Sequence, residues 1–198
     1  MHAGIPAEFT RIAAPEINLV RVPRKPAAEL RAAAARALAA DDPDFDIRTP
    51  LAEVDTTLAA RGVEPALAAD MADLARALAG VAGACALRLR FERVTGPACK
   101  LFHVDWVGCR LIVAYAGAGT EYLRDEDVRR DRLARGTNRG VARPGAAVRH
   151  LDAFEVGLFK GEAWPGNRGK GIVHRSPPAT RATPRLVFVA DALCAHPA

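Results

Sequence analysis

From residue 84 onward this chain is written in short strands, and that leaves few folds open to it. "ACALRLRFERV" (84–94) alternates with a period of two: Leu87, Leu89 and Phe91 fall on one side, and Arg88, Arg90 and Glu92 on the other. "CRLIVAYAG" (109–117) is a more apolar strand, and "GTEYL" (119–123) follows a Gly-rich turn. "AFEVGLFKG" (153–161), "GIVHRS" (171–176) and "RLVFVAD" (185–191) complete the set. Glycine and proline punctuate the gaps, with little helical periodicity between them. Short strands, each with an apolar side, bury it by stacking in two layers or closing on themselves. A β-sandwich or barrel is predicted.

The first 83 residues read differently. "INLVRV" (17–22) suggests one short strand. "KPAAELRAAAARALAA" (25–40) opens with a proline and continues in strong helix formers. "PLAEVDTTLAARG" (50–62) predicts a helix ending at Gly62, and "EPALAADMADLARALAG" (64–80) a longer one stopping at Gly80. "DDPDFDIRTP" (41–50) reads as a break. The expected organisation is α+β, with a mainly helical region over 1–83 and a strand-built core over 84–192. One insert interrupts the core: "RDEDVRRDRLARGTNRGVARPGAAVR" (124–149), rich in arginine and poor in large apolar side chains. It predicts a solvated loop, or else a lid over a site for an anionic substrate.

Composition narrows the function. Half of the 198 residues are hydrophobic, enough for a sizeable core. A net charge of +5 permits an anionic partner without demanding nucleic acid. Cys85, Cys99, Cys109 and Cys194 lack C-x-x-C spacing, so reduced, buried thiols are expected rather than a disulfide framework. The first residues lack the basic start and unbroken apolar run of a signal peptide, and no stretch has the apolar length of a membrane span. A cytoplasmic location is expected.

Chemistry enters with "KLFHVDWVGCRL" (100–111). On an extended chain residues two apart face the same way, so His103 and Asp105 share a side with room for one metal ion. His2, His150 and His196 sit in terminal or loop contexts. His174, in "GKGIVHRSPP", ends a predicted strand, and eleven residues later Arg185 begins the last apolar strand. Two imidazoles and one carboxylate on one face of a metal leave positions open, the arrangement of non-haem iron(II) oxygenases. A 2-oxo acid and dioxygen can use those positions. The far carboxylate of 2-oxoglutarate then needs a fixed cation, which a guanidinium supplies with two parallel hydrogen bonds. The rival for Arg185 is a place at the solvent rim, paired with an acid such as Glu155.

Here the chain resembles the Fe(II)/2-oxoglutarate-dependent oxygenase superfamily, through His103-x-Asp105 … His174 … Arg185 and the strands around them. "FHVD", "RLIVAYAGAGTEYL", "KGEAWPG", "GIVHRSPP" and "RLVFVAD" are similar, more closely, to the blocks of a bacterial domain-of-unknown-function family. The superfamily resemblance implies a double-stranded β-helix (jelly-roll) core with the N-terminal helices packed outside. It implies Fe(II) held by His103, Asp105 and His174, and 2-oxoglutarate held by Arg185. It also implies an oxidoreductase that decarboxylates 2-oxoglutarate to succinate while hydroxylating or demethylating a small-molecule or protein substrate. Many members carry serine or threonine two residues after the arginine. Here that position is Val187, so Tyr115 and Thr120 become candidates for the second contact, with Lys160 as a rival anchor. Nucleic-acid demethylases carry a further arginine near the end of that strand, where this chain has Asp191, so nucleic acid is disfavoured.

The alternative is a non-catalytic zinc protein of metal handling on the same fold, with Cys99 joining His103, Asp105 and His174. Cys99 otherwise reads as a small buried residue or a bystander at the site rim. "WPGNRGKG" (164–171) has no phosphate-loop spacing and predicts a hairpin turn with Trp164 beneath it. "SPP" (176–178) predicts a rigid exit from strand pairing. Trp106 is expected in the core or pocket wall. Arg110 and Arg175 are expected either in exposed salt bridges or against substrate.

Overall fold

The computed structural model describes residues 6–40 and 43–193. His2, Cys194 and His196 lie outside the described residues. In chain order the elements are α1 (Ala7–Thr10), β1 (Leu19–Val22), α2 (Ala28–Ala39), β2 (Phe45–Pro50), α3 (Val54–Ala60) and α4 (Pro65–Ala82). Then come β3 (Ala86–Val94), β4 (Cys109–Ala116), β5 (Glu121–Tyr122), β6 (Arg149–His150), β7 (Val156–Lys160), β8 (His174–Arg175) and β9 (Arg185–Leu193). Their antiparallel pairings build a six-stranded sheet, β1-β7-β4-β9-β3-β2, and a three-stranded sheet, β6-β5-β8.

Period two decides what each face of the large sheet meets. Leu87, Leu89 and Phe91 of β3, Leu111 and Val113 of β4, and Leu186, Phe188 and Ala190 of β9 are buried in one cluster with the apolar side of α4. The helices cover that face and stay out of the space between the sheets. The opposite face carries Ile112 and Val187, which join Tyr122, Leu151, Phe159 and Ile172 in a second cluster between the two sheets. A cleft opens beside this cluster.

Two local expectations change. The segment read as a break contains β2, because Phe45, Ile47 and Thr49 pair with Phe91, Leu89 and Leu87, and β3 supplies the partners an isolated reading cannot see. β1 and β2 form the two edges of the large sheet, so the described residues before β3 contribute strands as well as helices to its core. The long helix runs past Gly80 to Ala82. Its stop is Gly83, at φ 63° in the left-handed region, where the Gly83 and Ala84 N–H groups donate to the Ala79 carbonyl. Of the cysteines, Cys109 is buried, whereas Cys85 and Cys99 are exposed. Trp106, expected in the core or pocket wall, is 70% exposed beside Arg168. No helix among the described residues is long and apolar enough to cross a membrane.

Leu78 on α4 is fully buried in the helix–sheet core. Leu78→Ala should lower the unfolding free energy by about 2–5 kcal/mol. Leu101→Ala, at an exposed position, should stay within about 0.5 kcal/mol of the parent. Urea denaturation measures both.

Candidate metal centre

His103 and His174 face each other in an antiparallel bridge, each N–H donating to the other's carbonyl at 3.0 Å. Paired residues share a face, so the rings meet with centroids 4.5 Å apart. Asp105, two residues on, returns to the same side. Its Oδ2 lies 3.1 Å from His174 Nε2 and its Oδ1 3.6 Å from His103 Nε2. All the candidate ligand atoms lie within 4.8 Å of one another. Bonds of about 2.0–2.2 Å require separations up to roughly 4 Å. The 4.8 Å spread is wider than that, and His103 is the most exposed of the three.

The protonation pattern fits a cation. His103 Nδ1 lies 2.9 Å from the Leu101 carbonyl, and His174 Nδ1 lies 3.1 Å from that of Ile172. A carbonyl only accepts, so each Nδ1 carries the hydrogen and each Nε2 presents a lone pair. Two lone pairs and a carboxylate then converge, and Asp105 Oδ2 is buried without a hydrogen-bond partner. Such a set calls for a positive charge at its centre: a proton, or a metal ion for which His103, Asp105 and His174 are the ligands. Hydrogen bonding to Asp105 raises the His103 pKa against the opposing effect of burial. Burial opposes the Asp105 charge, but when the histidines are protonated their Nε2–H groups and charge, together with Arg110, outweigh it. Its carboxyl is held well below the usual range.

Arg110 sits behind this carboxylate. Its Nη1 reaches Asp105 Oδ1 at 2.6 Å, while Nε and Nη2 hold both oxygens of buried Asp191 at 2.5 and 2.9 Å. With Oδ1 engaged, only Oδ2 faces the histidines freely, so Asp105 is set up to give one oxygen to an ion. Arg110, expected in an exposed salt bridge or against substrate, forms largely buried salt bridges and lines the cleft. The available signal was parity: residues 185, 187, 189 and 191 share one face of β9, which puts Asp191 in the row that contains Arg185.

Arg185 is 2% exposed and lines the cleft with His103 and His174. Its Nε donates to the Ala118 carbonyl at 2.6 Å and its Nη1 to Ser176 Oγ at 2.5 Å, leaving Nη2 for the cleft. Burial pushes its pKa down to about 10, with Glu121 and Glu92 opposing the shift. Glu155 is not its partner; that carboxylate holds Arg21 at 2.8 Å and accepts from the Asp152 N–H. Thr120 also lines the cleft.

Tyr115 does not. It lies on the helix-facing side of β4, where its hydroxyl donates to Asp70 on α4 at 2.6 Å, and burial followed by the Asp70 charge raises its pKa well above the usual value. Lys160 is likewise on that side: its register partner is core residue Cys109, its Nζ donates to the Ala14 carbonyl at 2.8 Å, and burial lowers its pKa. Both corrections follow from the two-residue period, because Arg110 and Ile112 face the cleft and odd-numbered β4 positions face away. Cys99 lines the cleft but does not join the three converging residues. Arg175 bonds Glu121 at 2.5 Å and stacks over Phe102.

The arginine-rich insert packs rather than covers. Val128 and Val141 are buried with Phe102 and Val173, the neighbours of the two histidines. Asn138 accepts from the Phe102 N–H at 2.8 Å and donates to the Lys100 carbonyl at 2.9 Å, bracing the strand that carries His103. No residue of 124–149 lines the cleft. Nothing in the sequence singled out Asn138.

A family model described as a protein of unknown function, DUF1826, matches residues 4–191. No curated protein matches the sequence. Among solved structures, HygX from Streptomyces hygroscopicus, with iron bound, aligns at TM-score 0.56 and 13% identity over 96% of this chain and 88% of that one. A Pseudomonas putida prolyl-4-hydroxylase aligns at 0.55 and 14% identity over 97% and 92%. The Arabidopsis thaliana dioxygenase for auxin oxidation 1, in a binary complex with 2-oxoglutarate, aligns at 0.52 and 15% identity over 93% and 86%. At these identities the likeness is one of fold.

Arg110 generates a test of the centre's second layer. Arg110→Met should weaken Co(II) binding about 10–100-fold, with Arg110→Lys intermediate. Absorption titration of the cobalt complex reads the change directly.

Proposed function

The chain belongs to the DUF1826 family of proteins of unknown function, and we propose that it is a non-haem Fe(II)- and 2-oxoglutarate-dependent oxygenase on a jelly-roll core. The observation that carries this reading is the convergence of two imidazole Nε2 lone pairs and one carboxylate oxygen, with both imidazoles lining a cleft that also contains a buried guanidinium. The shared fold with an iron-bound protein and with a 2-oxoglutarate complex supports it.

In this reading His103, Asp105 and His174 hold the metal. Iron held there would supply the activation of dioxygen, coupling oxidative decarboxylation of 2-oxoglutarate to succinate and carbon dioxide with insertion of the second oxygen atom into a substrate C–H bond. The chain's own residues bind and orient. Arg185 Nη2 and the Thr120 hydroxyl receive the far carboxylate of 2-oxoglutarate, and that carboxylate offsets the burial of the guanidinium. Ser176 Oγ and the Ala118 carbonyl fix the plane in which Arg185 offers its hydrogen. Val187, where many relatives of the wider superfamily carry a hydroxyl, gives apolar contact instead. The zinc reading needs a fourth ligand, and Cys99 stays outside the cluster.

Anaerobic titration with Fe(II) and then 2-oxoglutarate should produce the visible absorption of their chelate. Arg185→Lys should leave metal binding nearly unchanged and weaken 2-oxoglutarate by at least about tenfold, roughly 1.4 kcal/mol. Absence of the chelate in the parent protein would sink the oxygenase reading. Parent-like affinity in the variant would remove Arg185 from its role.

A further inference from the structure

We infer that the substrate of this centre is a small zwitterion, of the class of free amino acids, held by Arg90 and Glu92 of β3; the inference rests on the oxygenase reading above. Arg90 and Glu92 stand two residues apart on one strand and line the same cleft as His103, His174 and Arg185. On an extended chain their Cα atoms are about 6.6 Å apart and on one face. Side by side, they offer a cation and an anion to one small molecule.

Both side chains lack adequate partners. Asp191 is the acid nearest Arg90, but Arg110 already holds both its oxygens at 2.5 and 2.9 Å. Arg90 Nη2 reaches it only at 3.4 Å, and Arg90 Nε is buried with no hydrogen-bond partner. Beyond that long contact, no hydrogen bond among the described residues engages its Nη1, which is left for an anion. Among the described residues, no cation forms a salt bridge with Glu92. An ammonium would complete it. The other charged groups of the cleft are spoken for: Arg110 by Asp105 and Asp191, Arg175 by Glu121, and Arg185 by the 2-oxo acid.

Charge balance favours the same class. The guanidinium groups of Arg90, Arg110, Arg175 and Arg185 are matched one for one by the carboxylates of Glu92, Asp105, Asp191 and Glu121. A divalent ion with a dianionic 2-oxo acid adds no net charge. A substrate with net charge would be buried uncompensated, whereas a zwitterion is not. The cleft opens to solvent, so a small molecule can reach it. Between the charged pair and the histidines its surface is apolar, formed by Val189 and Ile112. A substrate anchored at Arg90 and Glu92 therefore lays its carbon chain along that floor toward the metal ligands.

The test uses the full chain with Fe(II) and 2-oxoglutarate under anaerobic conditions. Each of the twenty common L-amino acids is added in turn, and the chelate absorption is followed. At least one should shift the band saturably. Its amide and its N-acetyl derivative, each lacking one charge, should bind at least tenfold more weakly. Arg90→Gln should lose affinity for the parent amino acid but not for the amide, and Glu92→Gln for the parent but not for the N-acetyl compound. Both variants should still form the chelate, which shows them folded. If no chelate forms, the oxygenase reading itself fails. If the chelate forms and no amino acid shifts it, or if either variant binds the amino acid as the parent does, the substrate class is wrong while the oxygenase reading stands.

Discussion

Two backbone hydrogen bonds between His103 and His174 decide where the chemistry of this molecule can lie. They join the segment before β4 to the short β8 of the smaller sheet, across the mouth of the space between the layers. Because antiparallel partners share a face, the same pairing that closes the fold also brings two imidazoles together. A slip of one residue would turn one ring to the opposite face. The register is secured from both sides. Phe102 and Val173 are buried with the insert, and Asn138 holds the Lys100–Phe102 backbone. The arginine-rich segment thus supports the site from behind, and its charges remain at the surface while its few valines supply the packing.

Charge is the second constraint. Desolvating a carboxylate and a guanidinium is unfavourable unless each finds partners with good geometry. Arg110 meets that condition by lying between Asp105 and Asp191. Without Asp191, the Arg110 cation would oppose a metal ion at the neighbouring carboxylate. With Asp191 its charge is neutralised locally, and Asp105 can be oriented by Arg110 while remaining available to the ion. The depressed carboxyl of Asp105 and the raised guanidinium of Arg110 express one arrangement, in which hydrogen bonds and opposite charges overcome burial.

The residues legible in the sequence were those whose type conflicts with their surroundings. A histidine and an aspartate in an apolar stretch, a histidine closing a strand, and an arginine opening "RLVFVAD" each stand out; the first three cluster, and Arg185 lines the cleft with both histidines. The jelly-roll expectation came from resemblance, since alternation alone allows any two-layered strand fold. Parity could have excluded Tyr115 and Lys160; their actual partners, Asp70 and the Ala14 carbonyl, come from distant elements that local reading cannot supply. β2 was missed for the same reason. Its aspartates and prolines argue against a strand locally, but Phe91, Leu89 and Leu87 across from it reward pairing, and Arg88 holds Asp46 at the surface.

Asp105 itself lies in no strand, and its position depends on a turn far along the chain. The Glu162 N–H donates to the Asp105 carbonyl at 2.9 Å, and the Gly161 and Ala163 N–H groups donate to the carbonyls of Gly108 and Val107 at 2.9 and 3.1 Å. These bonds bring the two segments so close that a Cβ at residue 161 would strike the carbonyls of Val107 and Asp105. Glycine is required there by that approach. Glu162 is fixed in turn, because its carboxylate accepts from the N–H groups of Gly169 and Gly171 at 2.5 and 3.0 Å. The Gly-rich "WPGNRGKG" segment is therefore more than a connection between β7 and β8. It ties the Asp105 backbone to the strand pair that carries His174, so both sides of the cluster are referenced to one turn.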